Sequence, residues 1–135
     1  MPQENNFNLS IIIPVYNEEN YLNELFNQLI AYFNNDDVEV IFVNDGSTDN
    51  SKSLIENFKN TKDHKFTYKY TTLDNNSGKG RAIQEGINIS TGKYILLQDA
   101  DLELDTKDAF EMYKMIQSKE EIKCIFGSRY LSGKL

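Results

Sequence analysis

An apolar run that ends in two carboxylates is the feature that most constrains this chain. Residues 94–97 are large and apolar, and Gln98-Asp99-Ala100-Asp101 follow directly. Because both alternating faces of the run are apolar, it is typical of a strand covered on both sides in a parallel sheet. Side chains alternate along a strand, so Asp99 and Asp101 leave its end on the same side, where two like charges favour a bound cation. In open α/β sheets ligands bind beyond the carboxyl ends of the strands, so a metal-bound ligand is expected here.

Length and charge narrow the class of protein. The 135 residues suit one domain with a sizeable core, so we predict a single domain over residues 1–135. A net charge of −7 argues against nucleic acid as a partner, whereas divalent cations and the anions they carry are compatible with it. Cys124 is the sole cysteine and no signal-peptide pattern is present, which predicts a cytoplasmic protein. A longer parent protein associated with the cytoplasmic face of a membrane is compatible with this sequence.

Strand-like apolar runs alternate with helical patterns along the chain. The predicted strands are residues 9–15, 38–43, 66–73, 94–97 and 122–126. The strand at 66–73 is more polar and is expected at an edge of the sheet. The charged segment 59–65 before it is expected to be a mobile connection in which His64 is solvated. Helices are expected between the strands, capped by Asn17 or Asn20 in the first, by Ser47 or Thr48 in the second and by Asp105 in the fourth. This alternation implies right-handed βαβ units, so the fold class is α/β, with a mainly parallel sheet and helices on both faces.

Two further loops are expected at the carboxyl ends of the strands. Asp45 follows the second strand and so faces the same crevice as Asp99. Residues 74–81 form a loop of mostly small residues that leads into the third helix. Lys79 lies between its two glycines, and Arg81 follows the second. Free backbone N–H groups and cationic side chains together predict an anion site in this loop.

Short motifs follow the strands in a fixed order. They are Ile13-Pro14-Val15-Tyr16-Asn17-Glu18, Val43-Asn44-Asp45-Gly46-Ser47-Thr48-Asp49, Asn76-Ser77-Gly78-Lys79-Gly80, Gly92-Lys93-Tyr94, Asp99-Ala100-Asp101 and Gly127-Ser128-Arg129-Tyr130. Each motif is weak alone, but their order across nearly the whole chain resembles the family 2 glycosyltransferases, especially the dolichyl-phosphate-sugar synthase and bacterial polysaccharide branches. The resemblance implies a Rossmann-like GT-A nucleotide-binding domain, truncated so that it forms the N-terminal, donor-binding portion of a longer transferase.

The resemblance also implies an activity, the inverting transfer of a sugar from a UDP- or GDP-sugar to an acceptor hydroxyl. The acceptor would be a saccharide or a polyprenyl phosphate. By motif position, Pro14, Tyr16 and Glu18 would line the nucleoside pocket, and Asp45 would accept a hydrogen bond from the base. Lys79 would approach the nucleotide from its loop.

A divalent cation, Mg²⁺ or Mn²⁺, is the cofactor that the resemblance implies. Asp101 would be its principal ligand, Asp99 would help to hold the ribose and the metal, and Glu103 would be a third ligand. A hard cation prefers carboxylate oxygens, and by bridging two phosphates it neutralises the charge that grows on the leaving nucleotide.

The sequence departs from the family pattern at two places. Asn44 stands where the family's second motif often begins with an acidic residue, so the base contact falls on Asp45 alone. The catalytic base of the family, a carboxylate that takes the acceptor's proton, would come from beyond Leu135. The isolated chain is therefore expected to bind nucleotide weakly and to turn over little or nothing.

Other interpretations fit less well. A calcium-binding loop starting at Asp99 would need glycine at the sixth position, which is Leu104. A nucleotidyltransferase would usually carry a glycine- and basic-rich loop after the first strand, where this chain has Pro14-Val15-Tyr16-Asn17-Glu18. A receiver-like module that binds Mg²⁺ would place its acidic pair after the first strand. For single residues, a core position for Tyr16 and a helix-dipole role for Glu18 remain open alternatives.

Overall fold

The computed structural model describes residues 6–61, 63–103 and 105–118. Their elements are β1 (Phe7–Val15), α1 (Leu22–Phe33), β2 (Val38–Asn44), α2 (Ser51–Thr61), β3 (Thr67–Thr72), α3 (Lys79–Ile89), β4 (Gly92–Leu97) and α4 (Thr106–Gln117). The four strands form one parallel sheet in the order β3-β2-β1-β4. The predicted strand at 122–126, Cys124 and the motif at 127–130 lie outside the described residues.

The strand order brings the predicted site residues to one edge of the sheet. After β1 the chain moves outward through β2 to β3, and then returns to place β4 on the opposite side of β1. Val15 pairs with Asn44, and Ile12 pairs with Leu97, so the carboxyl ends of β1, β2 and β4 lie side by side. The order reverses at β1, and such a reversal opens a crevice beyond the strand ends.

Helices cover both faces of the sheet, as predicted. The larger core lies on the face that packs against α1, α2 and α4, where Phe26 stacks on Phe58 with ring centroids 4.1 Å apart. On the other face, Ala82 of α3 packs against Ile41 and Val43. Every residue of β2 is buried, whereas the more polar β3 lies at an edge, which confirms the predicted edge strand.

The predicted cap of α1 is wrong. This helix begins at Leu22 and its N-cap is Tyr21, whose side chain makes no capping hydrogen bond. Asn17 lies further upstream with a φ of 53°, and Asn20 is not the cap. The Asn17 side chain is engaged with a second loop, as described below, and so it is unavailable to α1.

The predicted caps of the later helices have mixed outcomes. Neither Ser47 nor Thr48 caps α2, because both hydroxyls bond the loop that follows β1. The Asp49 carboxylate accepts the Ser51 N–H at 2.8 Å instead. Asp105 is the N-cap of α4, as predicted.

Part of the predicted connection at 59–65 belongs to a helix or packs on the core. The sequence predicts a charged, mobile connection there, but α2 continues to Thr61. The His64 ring stacks on Phe66 and Phe58, with centroids 4.5 and 5.2 Å apart. His64 is therefore half-buried against the core rather than solvated.

A buried carboxylate lies at the opposite, amino-terminal edge of the sheet. Glu39 is fully buried, and its Oε2 accepts hydrogen bonds from the Ser10 hydroxyl at 2.5 Å and the Thr91 N–H at 2.6 Å. Its Oε1 lies 2.6 Å from Lys69 Nζ. Burial acts to raise the pKa of Glu39, but these partners outweigh it and hold the pKa below the ordinary value. This network joins β1, β2, β3 and the start of β4, at the end of the sheet opposite the carboxyl-end crevice.

No helix in the described part of the chain combines the length and the apolar character needed to cross a membrane.

Candidate functional site at the carboxyl edge of the sheet

A cavity of about 380 Å³ opens at the carboxyl ends of β1, β2 and β4. Its lining residues are Pro14, Val15, Tyr16, Glu18, Asp45, Asn76, Gly78, Lys79, Asp99, Ala100 and Asp101. Every residue predicted to bind the nucleotide is among them, together with the predicted metal ligand Asp101. The volume falls in the range of small-molecule sites, so the structure brings the predicted residues together around one space large enough for a ligand.

Asn17 joins the loop after β1 to the loop after β2. Its Oδ1 accepts the N–H groups of Thr48 and Asp49 at 2.8 and 3.2 Å, and its own N–H donates to Ser47 Oγ at 3.0 Å. Asparagine tolerates the left-handed φ of 53° that this position requires. The two neighbours of Asn17 in sequence both line the cavity, so these bonds hold that wall in place. The sequence interpretation missed this role and treated Asn17 as a helix cap.

Glu18 lies in a negatively charged environment. Its backbone N–H donates to Ser51 Oγ at 2.9 Å, and its side chain is half-buried. Burial raises the pKa of Glu18, and neighbouring carboxylates, Asp101 first among them, raise it further. A cation in the cavity would relieve this repulsion.

Asp45 connects the end of β2 to the loop before α3 through hydrogen bonds. It is almost fully buried, and its two carboxylate oxygens accept the N–H groups of Ser77 and Gly78 at 2.7 and 2.9 Å. Gly46 has a φ of 69°, and a Cβ there would lie 2.5 Å from the backbone nitrogen of Asn76. The structure therefore gives Asp45 a loop-holding role that was not predicted, in addition to its place in the cavity wall.

Asn44, the departure from the family motif, also has a local structural role. It is buried, and its Oδ1 accepts the Ser47 N–H at 3.1 Å. An amide here closes the turn after β2 without adding a buried charge.

The start of α3 supplies one cationic side chain to the cavity. Gly78 is the N-cap of the helix and has a φ of 98°. Lys79 forms an ion pair with the Asp99 carboxylate across the cavity. Arg81 turns away and pairs with Glu85 on its own helix at 3.2 Å. Of the two basic residues in the predicted anion loop, Lys79 alone lines the cavity.

Asp99, Asp101 and Glu103 form an acidic cluster. One carboxylate oxygen of each lies within 4.8 Å of those of the other two. Leu102 has a φ of 64°, which turns the chain so that the Glu103 N–H donates to Asp101 Oδ1 at 3.0 Å. Mg²⁺ binds oxygens at about 2.0–2.1 Å, so two oxygens on opposite sides of one ion are about 4 Å apart. The three carboxylates are therefore close enough to reach a single divalent cation after small side-chain rotations.

Comparison with known proteins identifies the family. The model of glycosyl transferase family 2 matches residues 10–134. The chain belongs to this family. It is 29% identical to a poly-beta-1,6-N-acetyl-D-glucosamine synthase of Staphylococcus epidermidis, over 93% of this chain and 29% of that protein. It is 31% identical to a dolichyl-phosphate beta-glucosyltransferase of Dictyostelium discoideum, over 92% of this chain and 40% of that protein.

Solved structures confirm the GT-A-like α/β fold of this family 2 member. Residues 1–349 of TarS from S. aureus, solved in complex with UDP, superpose with a TM-score of 0.67 at 26% identity. The match covers 84% of this chain and 33% of that 1–349 chain. The family 2 chain thus spans less than half the length of the relatives and the structure named here.

Proposed function

We propose that this family 2 chain is the donor-binding portion of an inverting glycosyltransferase that uses a UDP- or GDP-sugar. The single observation that carries the proposal is the convergence of Asp45, Asp99 and Asp101 on one cavity at the reversal of strand order. The relative TarS, which shares the fold, was solved with UDP, and this supports a nucleotide in the equivalent crevice here.

The wall formed by the loop after β1 is proposed to hold the nucleoside. Tyr16 is 43% exposed beside the cavity, so its ring is accessible for stacking on a base. Pro14 and Glu18 complete this wall. Asp45 already accepts two N–H groups, and a carboxylate has about four acceptor positions, so it retains capacity for a base N–H.

The acidic cluster is proposed to hold Mg²⁺ or Mn²⁺, with Asp101 as principal ligand and Asp99 and Glu103 as further ligands. When bound, the cation would supply positive charge that stabilises the leaving nucleotide diphosphate. Asp101 is half-buried in the cavity, where its charge is screened less than on an open surface. Lys79 would add a positive charge on the opposite side of the diphosphate.

Inverting transfer also needs a carboxylate that takes the proton of the acceptor hydroxyl. As the family resemblance implies, we propose that this base comes from a segment beyond Leu135. The acceptor is proposed to be a saccharide or a polyprenyl phosphate, and the location to be the cytoplasm, with a longer parent at the cytoplasmic face of a membrane.

Calorimetry with UDP, GDP and ADP, each with and without Mn²⁺, tests the proposal. We expect UDP or GDP to bind in a metal-dependent way. Asp101→Asn should weaken that binding about tenfold or more, because a neutral amide is a poor ligand for a hard cation. The matched control is Asp108→Asn, an exposed carboxylate in the first turn of α4, which should bind like wild type. Indifference to all three nucleotides would favour a non-catalytic acidic module, and an equal loss in both variants would contradict the metal assignment.

A further inference from the structure

The ion pair between Lys79 and Asp99 spans the cavity. Lys79 is the first residue of α3, whereas Asp99 follows β4. Their side chains are 62% and 36% exposed, respectively. Asp99 also belongs to the acidic cluster that fits a divalent cation. The ammonium group of Lys79 thus neutralises a carboxylate that the proposed metal would use.

Building on the proposed function, we propose that Lys79 acts as a counter-ion of Asp99 in the ligand-free site and transfers to the nucleotide phosphates on binding. This exchange makes metal binding dependent on the nucleotide. A divalent cation at the cluster would lie close to the Lys79 ammonium group, and two cations at that distance repel each other. A metal ion that binds alone must therefore displace Lys79 and leave it without a counter-ion. A metal ion that binds together with a nucleotide provides the phosphates as the new counter-ion of Lys79.

The start of α3 offers the phosphates an open approach. Gly78, the N-cap, makes no side-chain hydrogen bond to the first turn, and a Cβ at Gly78 or Gly80 would meet nothing within 4 Å. Free N–H groups at a helix N-terminus favour an anion. A phosphate placed there would lie beside the first helical residue, which is Lys79 itself.

Lys79 can leave Asp99 at little cost. Both side chains are partly exposed, and an exposed ion pair stabilises a protein only weakly. Lysine carries its charge on a flexible four-carbon stem, so the ammonium group can move while α3 stays in place. The pair is therefore suited to exchange rather than to holding the fold together.

The test measures two affinities that should change in opposite directions. Lys79→Met should bind Mn²⁺ alone about two- to fivefold more tightly than wild type, the factor that corresponds to one exposed ion pair. In saturating Mn²⁺, the same variant should bind UDP about tenfold or more weakly, since a charge-assisted contact to phosphate is lost. Free Mn²⁺ is read by electron paramagnetic resonance, and UDP binding by calorimetry.

Two further variants complete the test. Lys114→Met removes a lysine from another exposed ion pair, with Glu111 in α4, and should leave both affinities unchanged. Lys79→Arg keeps the positive charge and should retain weak binding of Mn²⁺ alone.

The outcomes separate this inference from the proposed function. If Mn²⁺ alone binds Lys79→Met no more tightly than wild type, while Asp101→Asn weakens Mn²⁺ binding, the exchange is overturned and the metal site stands. If wild type and Lys79→Met both fail to bind Mn²⁺, with or without UDP, the metal site and the exchange are overturned together. Tighter metal binding with weaker UDP binding, absent from Lys114→Met, supports the exchange.

Discussion

Replacing Asn17 is expected to loosen the nucleotide wall of the cavity while leaving the sheet intact. The side chain accepts two backbone N–H groups, from Thr48 and Asp49, and its Nδ2 donates to Thr48 Oγ1 at 3.3 Å. Together with the bonds from the Glu18 and Glu19 N–H groups to Ser51 and Asp49, these hydrogen bonds join two loops that follow separate strands. Tyr16 and Glu18 flank Asn17, so we expect Asn17→Ala to lower both stability and nucleotide affinity.

The magnitude follows from two separate effects. Three exposed hydrogen bonds at the low end of about 0.5–1.5 kcal/mol each amount to about 1.5 kcal/mol. The left-handed φ of 53° costs an alanine about 1–2 kcal/mol. Glycine avoids this cost, but its greater freedom in the unfolded chain destabilises the folded state by roughly 0.5 kcal/mol. We therefore expect Asn17→Ala to lose about 2.5–3.5 kcal/mol of unfolding free energy and Asn17→Gly about 2 kcal/mol.

Urea unfolding and UDP calorimetry check these values. Asn17→Asp is the matched comparison, because it keeps the two acceptor contacts, although it loses the Nδ2 donor and adds a negative charge. It should be the most stable of the three variants. The alanine and glycine variants should bind UDP with Mn²⁺ about three- to tenfold more weakly, as expected for about 1 kcal/mol of lost loop order. The reasoning is refuted if alanine and glycine give equal unfolding free energies, or if both variants keep wild-type affinity for UDP.

Two further predictions concern the fold around the site. The pKa of Glu39 in the folded protein lies below its ordinary value of 4.5. Such a carboxylate stabilises the folded protein above pH 4.5, and this stabilisation is lost as the pH falls through the folded-state pKa. Glu39→Gln should therefore flatten the acid loss of stability measured by urea unfolding from pH 7 down to about pH 3, and an unchanged slope would contradict the role of the Lys69 pair. Gly46→Ala should lower thermal stability by about 2 kcal/mol or more, since its Cβ would lie 2.5 Å from the Asn76 backbone nitrogen. Gly80→Ala, which meets nothing within 4 Å, should be neutral or stabilising, and equal melting temperatures for the two variants would show that the Gly46 contact is unimportant.

The fold and the residues that line the site were predictable because both depend on local sequence patterns. Apolar runs such as β2, in which every residue is buried, identify strands without reference to distant residues. Parallel strands end at a common edge, so the position of Asp45 and Asp99 after two such runs is enough to predict a shared cavity. That cavity is present, with both residues in its lining.

The role of Asn17 was not predictable in the same way. An asparagine shortly before a helical pattern is a normal cap signal, and its true partners lie about 31 positions further along the chain. Only the pairing of β1 with β2 brings them within reach. Glu39 illustrates the same limit, because the groups that satisfy its charge come from β1, β3 and the start of β4.

His64 is a different case, since its partners are close in sequence. Phe58 and Phe66 lie on either side of it, and the three rings stack. An aromatic residue at each end of a charged connection was an available signal for a ring-on-ring contact. The charge of the neighbouring lysines outweighed that signal in the sequence interpretation.

The charge of the cavity explains why its loops are tied to one another rather than only to their own strands. Burial raises the pKa of Glu18, and the carboxylates of Asp101, Asp99 and Glu103 raise it further. The cluster follows β4 whereas Glu18 follows β1, so this repulsion would push apart loops that were attached only to their own strands. The bonds that oppose this, from the side chains of Asn17 and Asp45 to neighbouring loop backbone, use none of the oxygens of the acidic cluster. The cation proposed at the cluster would therefore bind and leave without breaking the bonds that Asn17 and Asp45 make between the loops.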